Sequence, residues 1–267
     1  MKNISELMSL TGRTALITGG GGHIGSAFAH SLAELGASIA VVDINMESAE
    51  KVATEISEKH GVRTMPLAVD MADEKAVCAM PETVAGNLGS LDIIINSAAF
   101  VGTSGLEGWV TPFEEQSVDV WRQALEVNLT ACFALIQAAT PLLRASGHGS
   151  VINVASTYGV VGPDMSLYEG TAMGNPAAYA ASKGGMIQMT RWLSTVLAPD
   201  IRVNAISPGG VWRNQPEKFV KRYETKTPMK RMGTEEDMVG AAVYLASDLS
   251  SYVTGQNILV DGGFTAW

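Results

Sequence analysis

Short runs rich in valine, isoleucine and alanine alternate with longer stretches of helical spacing along the whole chain, and this rhythm restricts the fold more than any other feature. The strand candidates are residues 13–18, 38–43, 64–68, 91–95, 150–154, 202–206 and 257–260. Helical spacing fills 24–35, 46–59, 73–88, 118–143, 176–197 and 234–247. A run such as 91–95 is apolar on both faces, as strands are when helices cover both sides of a parallel sheet. Alternation of this kind implies right-handed crossovers and predicts a doubly wound α/β sheet of seven mostly parallel strands. No internal repeat interrupts it, and nothing in the 267 residues calls for a second domain, so 1–267 reads as one unit.

Three stretches break the rhythm: 97–116, 157–175 and 207–233. Each follows a strand candidate, so all three should gather beyond the carboxyl edge of the sheet, where doubly wound folds bind ligands. Hydrophobic residues make up 46% of the chain and charged residues 17%, a balance that supports a large buried core. No apolar run approaches the roughly 18–20 residues of a membrane helix, and residues 1–10 show no apolar leader. Cys78 and Cys132 are far apart and in no metal spacing, and read as reduced, partly buried thiols of a cytoplasmic protein. His30, His60 and His148 stand isolated, so no metal site is expected. The formal net charge of −9 is spread evenly and argues against a nucleic-acid groove.

The first strand candidate runs into Thr18-Gly19-Gly20-Gly21-Gly22-His23-Ile24-Gly25 and then a helix. A glycine turn lets the backbone approach a pyrophosphate, and the amides and dipole of the helix N-terminus favour its charge. Asp43 closes the second strand candidate, where a carboxylate would accept hydrogen bonds from the adenosine ribose and repel a 2′-phosphate. The next residue is Ile44, so no basic side chain offsets that repulsion, and NAD is expected over NADP. Asp43 could also cap the helix at Met46. Asp70, after the third strand candidate, would touch the adenine edge or cap its own turn.

Tyr179 and Lys183 are four apart on a helix candidate and so share a face. A phenol titrates near 10 and is a poor base at neutral pH. A neighbouring ammonium, helped by an oxidised nicotinamide, would bring it toward the range where acid–base catalysis works best. Ser156, just beyond the fifth strand candidate, can hold a carbonyl or alcohol oxygen beside that phenol.

These motifs, with Asn96-Ser97-Ala98-Ala99, Asn128 in Val127-Asn128-Leu129, Pro208-Gly209 and Val260-Asp261-Gly262-Gly263, resemble the short-chain dehydrogenase/reductase family over nearly the whole chain. The resemblance implies a Rossmann-type domain and an NAD-dependent oxidoreductase that moves a hydride between the dinucleotide and a secondary alcohol or ketone. It implies that Asn128, Ser156, Tyr179 and Lys183 are catalytic, with Asn128 holding a water that links Lys183 to solvent. Around the dinucleotide it places Gly19, Gly22, His23, Ile24 and Gly25, then Asp43, Asp70 and Met71. Asn96, Pro208, Gly209 and Val211 complete that set, with Tyr179 and Lys183 at the nicotinamide ribose. Family members associate as dimers or tetramers, and a homotetramer is expected here.

The chain also departs from the common pattern. Gly19, Gly22 and Gly25 follow the glycine spacing of the family's extended branch, with His23 where the classical branch has glycine. Ser156 and Tyr179 are 23 apart, wider than the roughly a dozen usual for the classical branch. Both features resemble enzymes of nucleotide sugars, although the length is classical. The expected substrate is therefore a small molecule of the carbohydrate kind, with a 3-oxoacyl thioester or another ketone, such as a steroid, as alternative. A non-catalytic dinucleotide-binding regulator is the alternative of another class. The substrate wall should come from 100–109, 158–175 and 212–223. Trp109, Tyr168 and Trp212 would stack on a ring or serve as packing. Arg213 would meet a carboxylate or phosphate, or remain an exposed loop arginine. His23 would face solvent or touch the phosphates.

Overall fold

In the computed structural model, which describes residues 1–102 and 104–267, seven strands form one wholly parallel sheet in the order β3-β2-β1-β4-β5-β6-β7. The strands are β1 Thr14–Thr18, β2 Ser38–Asp43, β3 Thr64–Ala68, β4 Ile93–Asn96, β5 Gly149–Val154, β6 Ile201–Pro208 and β7 Asn257–Val260. The helices are α1 Ile4–Met8, α2 His23–Glu34, α3 Met46–His60, α4 Glu74–Leu88, α5 Val118–Leu125, α6 Ala131–Ser146, α7 Ala177–Leu197, α8 Glu217–Lys226 and α9 Glu235–Ala246. A π-helical turn, Glu126–Thr130, joins α5 to α6 without a break. The doubly wound fold is as the alternation predicts, except that every pairing in the sheet is parallel.

Alternation along each strand builds two cores. Ile17, Ile93 and Ile95 face Phe28 and Leu32 of α2, Ile56 of α3 and Ala242 of α9. Leu16, Ile94 and Val151 face the other way, against Val84 of α4, Leu135 and Leu143 of α6 and Leu193 of α7. Both faces of the central strands are thereby dry, which is why these runs read as unbroken apolar sequence. Local chemistry sets the helix ends. Asn45 caps α3 by accepting from the Ser48 amide at 3.0 Å, and Gly61, at φ 67°, ends it.

Several expectations need correction. Cys132 is buried but Cys78 is exposed, because α4 turns that face outward. His30 and His60 are not isolated: their ring nitrogens meet at 3.4 Å, with Glu55 3.8 Å from His30, since α2 and α3 pack side by side. The segment Val118–Ser146 is long and apolar enough, by length and composition, to cross a membrane. The π-turn makes one continuous helix of what no single apolar run reveals, and in this fold α6 packs beside α4 on one face of the sheet. Residues 207–233 are not all loop. They contain α8, whose Phe219 and Tyr223 are buried.

Candidate active site

β1 ends at Thr18, and Gly19 turns the chain at φ 64°. A Cβ on Gly19 would lie 2.9 Å from the Ala98 backbone, and one on Gly25 would run into the Gly19 carbonyl oxygen. Only glycine lets strand, turn and helix approach this closely. Thr18 Oγ1 accepts from the Ser97 and Ala98 amides at 3.1 and 3.2 Å, which ties the turn to the loop after β4. Gly22 begins α2 with no side-chain cap, so the first amides of α2 and its dipole are open to an anion.

Asp43 leans on the same turn, accepting from the Gly21 amide and, through its other oxygen, from the Asn45 amide, both at 3.1 Å. Asn45 and not Asp43 caps α3. Asp70 accepts from the Ala72 amide at 2.9 Å and so does cap its own turn, while also facing the cleft described next.

A cleft of about 490 Å³ runs from the glycine turn to Tyr179, within the usual range for ligand sites. Gly19, Gly22, His23, Ile24 and Gly25 line one end, and Asp43, Asp70 and Met71 the side beyond β2 and β3. Pro208, Gly209, Val211 and Arg213 come from the segment after β6, and Ser156, Tyr179 and Lys183 form the far end. Val42, Ile44 and Ala98 also line it without having been site candidates, and Phe100 and Val101 of the expected 100–109 wall line it too. Their signal was their place at the carboxyl ends of β2 and β4.

At the far end, burial pushes the Tyr179 phenol up from its ordinary value, and the Ser156 hydroxyl bonded to it pulls the other way. Lys183 is buried, and burial pushes its ammonium down to about 8. Its Nζ donates to the Val154 carbonyl at 2.7 Å and sits 5.8 Å from the centre of the Tyr179 ring. The expectation that Lys183 brings Tyr179 down is therefore not met by the protein alone. The ammonium is held on Val154, and desolvation dominates the phenol.

Other candidates lie off the cleft wall. Asn96 is buried and donates to Asn153 Oδ1 at 2.9 Å, between neighbouring strands, while its own Oδ1 has no partner. Asn128 sits in the π-turn, a kind of turn frequent at functional sites. Its amide is engaged, accepting from the Phe100 amide at 2.7 Å and donating to the Phe100 carbonyl and to Ser182 Oγ. Trp109 is packing and not substrate wall: it is buried against Ala124 and Ala178, with its indole N–H on the Val101 carbonyl. Tyr168 is buried in an aromatic cluster with Phe219 and Tyr223. Trp212 is half exposed and is not part of the cleft lining. Thr103, within the expected 100–109 wall, is outside the described residues.

Arg213 is neither free nor fully exposed. It pairs with Glu235 at 2.8 Å, and its Nε is buried without a partner. His23 is largely exposed, 4.0 Å from the same Glu235, and still borders the cleft. The residues present fit a dinucleotide: open amides and no Cβ where phosphates would lie, a carboxylate beyond β2, and buried hydroxyls with an ammonium at the far end. Among the described residues no cluster of metal ligands occurs.

A family model described as enoyl-(acyl carrier protein) reductase matches residues 21–265. The D-threitol dehydrogenase of Mycolicibacterium smegmatis is 33% identical over 265 residues, 96% of this chain and 94% of the relative. The structure of an NAD⁺-bound xylitol dehydrogenase superimposes with a TM-score of 0.84 at 31% identity, covering 95% of this chain and 99% of that one. A gluconate 5-dehydrogenase from Burkholderia cenocepacia, in complex with NADP and tartrate, gives 0.87 at 30%, covering 99% and 100%.

Proposed function

The chain belongs to the short-chain dehydrogenase/reductase family, and we propose that its substrate is a sugar, a polyol or a similarly hydroxylated ring, with NAD as its dinucleotide. It is an oxidoreductase of secondary alcohols that uses a nicotinamide dinucleotide. The observation that carries the reading is the meeting of Ser156, Tyr179 and Lys183 at one end of a cleft whose other end is the glycine turn.

Held by the glycine turn, Asp43 and the Pro208–Val211 segment, a bound dinucleotide would supply the hydride chemistry at the carbinol carbon, as acceptor in oxidation and donor in reduction. The protein handles the proton. Ser156 holds the substrate oxygen, and Tyr179 removes the hydroxyl proton in oxidation or donates one to the carbonyl in reduction. The raised phenol favours donation, so oxidation needs added positive charge, from Lys183 and the oxidised ring. Lys183 would then pass the proton outward. Asn128, with its amide engaged, contributes by holding the Phe100 segment against Ser182 of α7.

Asp43 supports NAD over NADP, since its carboxylate would repel a 2′-phosphate and exposed Ile44 offers no compensating charge. Arg213 is held on Glu235 through one Nη, which leaves further N–H groups to meet a substrate carboxylate. A second reading is an acyl thioester substrate, since the description of the matching family names an acyl carrier, although the bond an enoyl reductase reduces is a carbon–carbon double bond and not a ketone. Turnover across polyols, sugars, hydroxyacids and 3-oxoacyl thioesters, with each dinucleotide, decides. We expect polyol or sugar turnover with higher kcat/KM for NAD; activity confined to thioesters, or an NADP preference, overturns the corresponding part.

We take residues 1–267 as one functional unit, because one sheet draws strands from Thr14 to Val260. Exposed Trp121 and Phe133 on α5 and α6, with Trp192 and Val196 on α7, support association into a homotetramer or dimer. A monomer by light scattering at micromolar concentration would contradict it. Two unpaired thiols suit a cytoplasmic setting, which cell fractionation would test.

A further inference from the structure

Arg213 borders the cleft with more donors than its partner uses. A guanidinium carries several N–H groups, and here one Nη donates to Glu235 Oε1 at 2.8 Å. Its Nε is buried and meets no acceptor among the described residues, which is costly unless a ligand answers it. The segment that presents this side chain is fixed. Val211 bridges Gly233, the Trp212 amide donates to the Gly233 carbonyl, and the Arg213 amide donates to Gln215 Oε1 at 2.6 Å.

Glu235 decides which end of the cleft the guanidinium serves. The carboxylate oxygen that holds Arg213 also lies 4.0 Å from His23 Nδ1. His23 begins α2, whose first amides have no side-chain cap and whose first turn carries no acid. Arg213 is thus tied to the end of the cleft where an anion is favoured. Glu235 alone would repel that anion, and pairing with Arg213 offsets its charge. The planar fork suits phosphate oxygens, and holding Glu235 occupies only part of it.

We propose that Arg213 is a ligand of the dinucleotide pyrophosphate, bonding the phosphate oxygens together with the α2 amides while Glu235 positions it. The inference rests on the dinucleotide reading above and gives the unused N–H groups to the cofactor ahead of a substrate carboxylate. Neutralising Glu235 is then a consequence of the pairing and not the whole role of Arg213.

The test measures the affinities of wild type, Arg213→Gln and the double variant Arg213→Gln/Glu235→Gln for NADH, ADP-ribose and adenosine, without substrate. NADH and ADP-ribose carry the pyrophosphate, and adenosine does not. Arg213→Gln should weaken NADH and ADP-ribose by about tenfold or more, as loss of a charged hydrogen bond does, and leave adenosine within about twofold. The double variant should still bind NADH about fivefold or more weakly than wild type, because the phosphates have lost their donors even when Glu235 is uncharged. Adenosine weakened as much as NADH, or a double variant restored to wild-type affinity, overturns this inference alone. So does an Arg213→Gln variant that binds NADH normally and fails only on hydroxyacids. A wild type that binds no NADH overturns the dinucleotide reading, and this inference with it.

Discussion

Tyr179→Phe is expected to lower kcat by about 10²- to 10⁴-fold, the range that a positioned acid or base contributes, while dinucleotide affinity changes little. The substitution removes one oxygen and keeps the ring, which packs with Trp109, Ala124 and Ala178, so the fold has no reason to shift. Ser156 and the glycine turn remain in place to bind. Fluorescence titration with NADH beside steady-state turnover separates the two effects. Residual activity near wild type would remove Tyr179 from the chemistry, and a parallel loss of binding would assign it a structural role instead.

Lys183→Met should also be nearly inactive, by a similar factor, yet no less stable than wild type near neutral pH. Lys183 titrates at about 8 in the fold against an ordinary 10.5, so burial disfavours its charged form. Between those two values the unfolded chain binds more protons than the folded one, and stability rises with pH across that window. Below about 8 the whole cost of the buried charge is present, on the order of 3 kcal/mol. Methionine fills similar space without the charge. It leaves the Val154 carbonyl unbonded, a penalty of about 1–3 kcal/mol, so the net change should be neutral or stabilising. Thermal melts at neutral pH and at pH above the ordinary lysine value check this: any advantage of the variant should shrink as pH rises. A variant clearly less stable at neutral pH would show that Lys183 holds the fold together. The expected pattern, lost activity without lost stability, is that of a group retained for function at the expense of the fold.

Part of the site is legible in the sequence itself. Glycine spacing after an apolar run predicts the turn because few other arrangements need Gly19 and Gly25 together. Four-residue spacing places Tyr179 and Lys183 on one face of α7. Spacing says nothing, however, about where an ammonium on a flexible stem comes to rest, and Nζ lies on Val154. The family resemblance makes Asn96 a cofactor residue, but its side chain turns sideways to Asn153 within the sheet. The segments around Trp109 and Tyr168 are the hardest to read, since no periodicity governs how a loop folds back. Trp109 goes into packing, and Tyr168 into an aromatic row completed by Phe264, far away in sequence.

The central claim is that this cleft moves a hydride between a secondary carbinol and a nicotinamide. The most direct measurement uses a polyol from the turnover panel, deuterated at the carbinol carbon, with NAD and the wild-type protein, followed by mass analysis of the reduced dinucleotide. The account predicts that deuterium appears on the nicotinamide ring, matched by one equivalent of ketone. Ketone formed with no deuterium in the dinucleotide, or no reduced dinucleotide from any secondary alcohol, would contradict it.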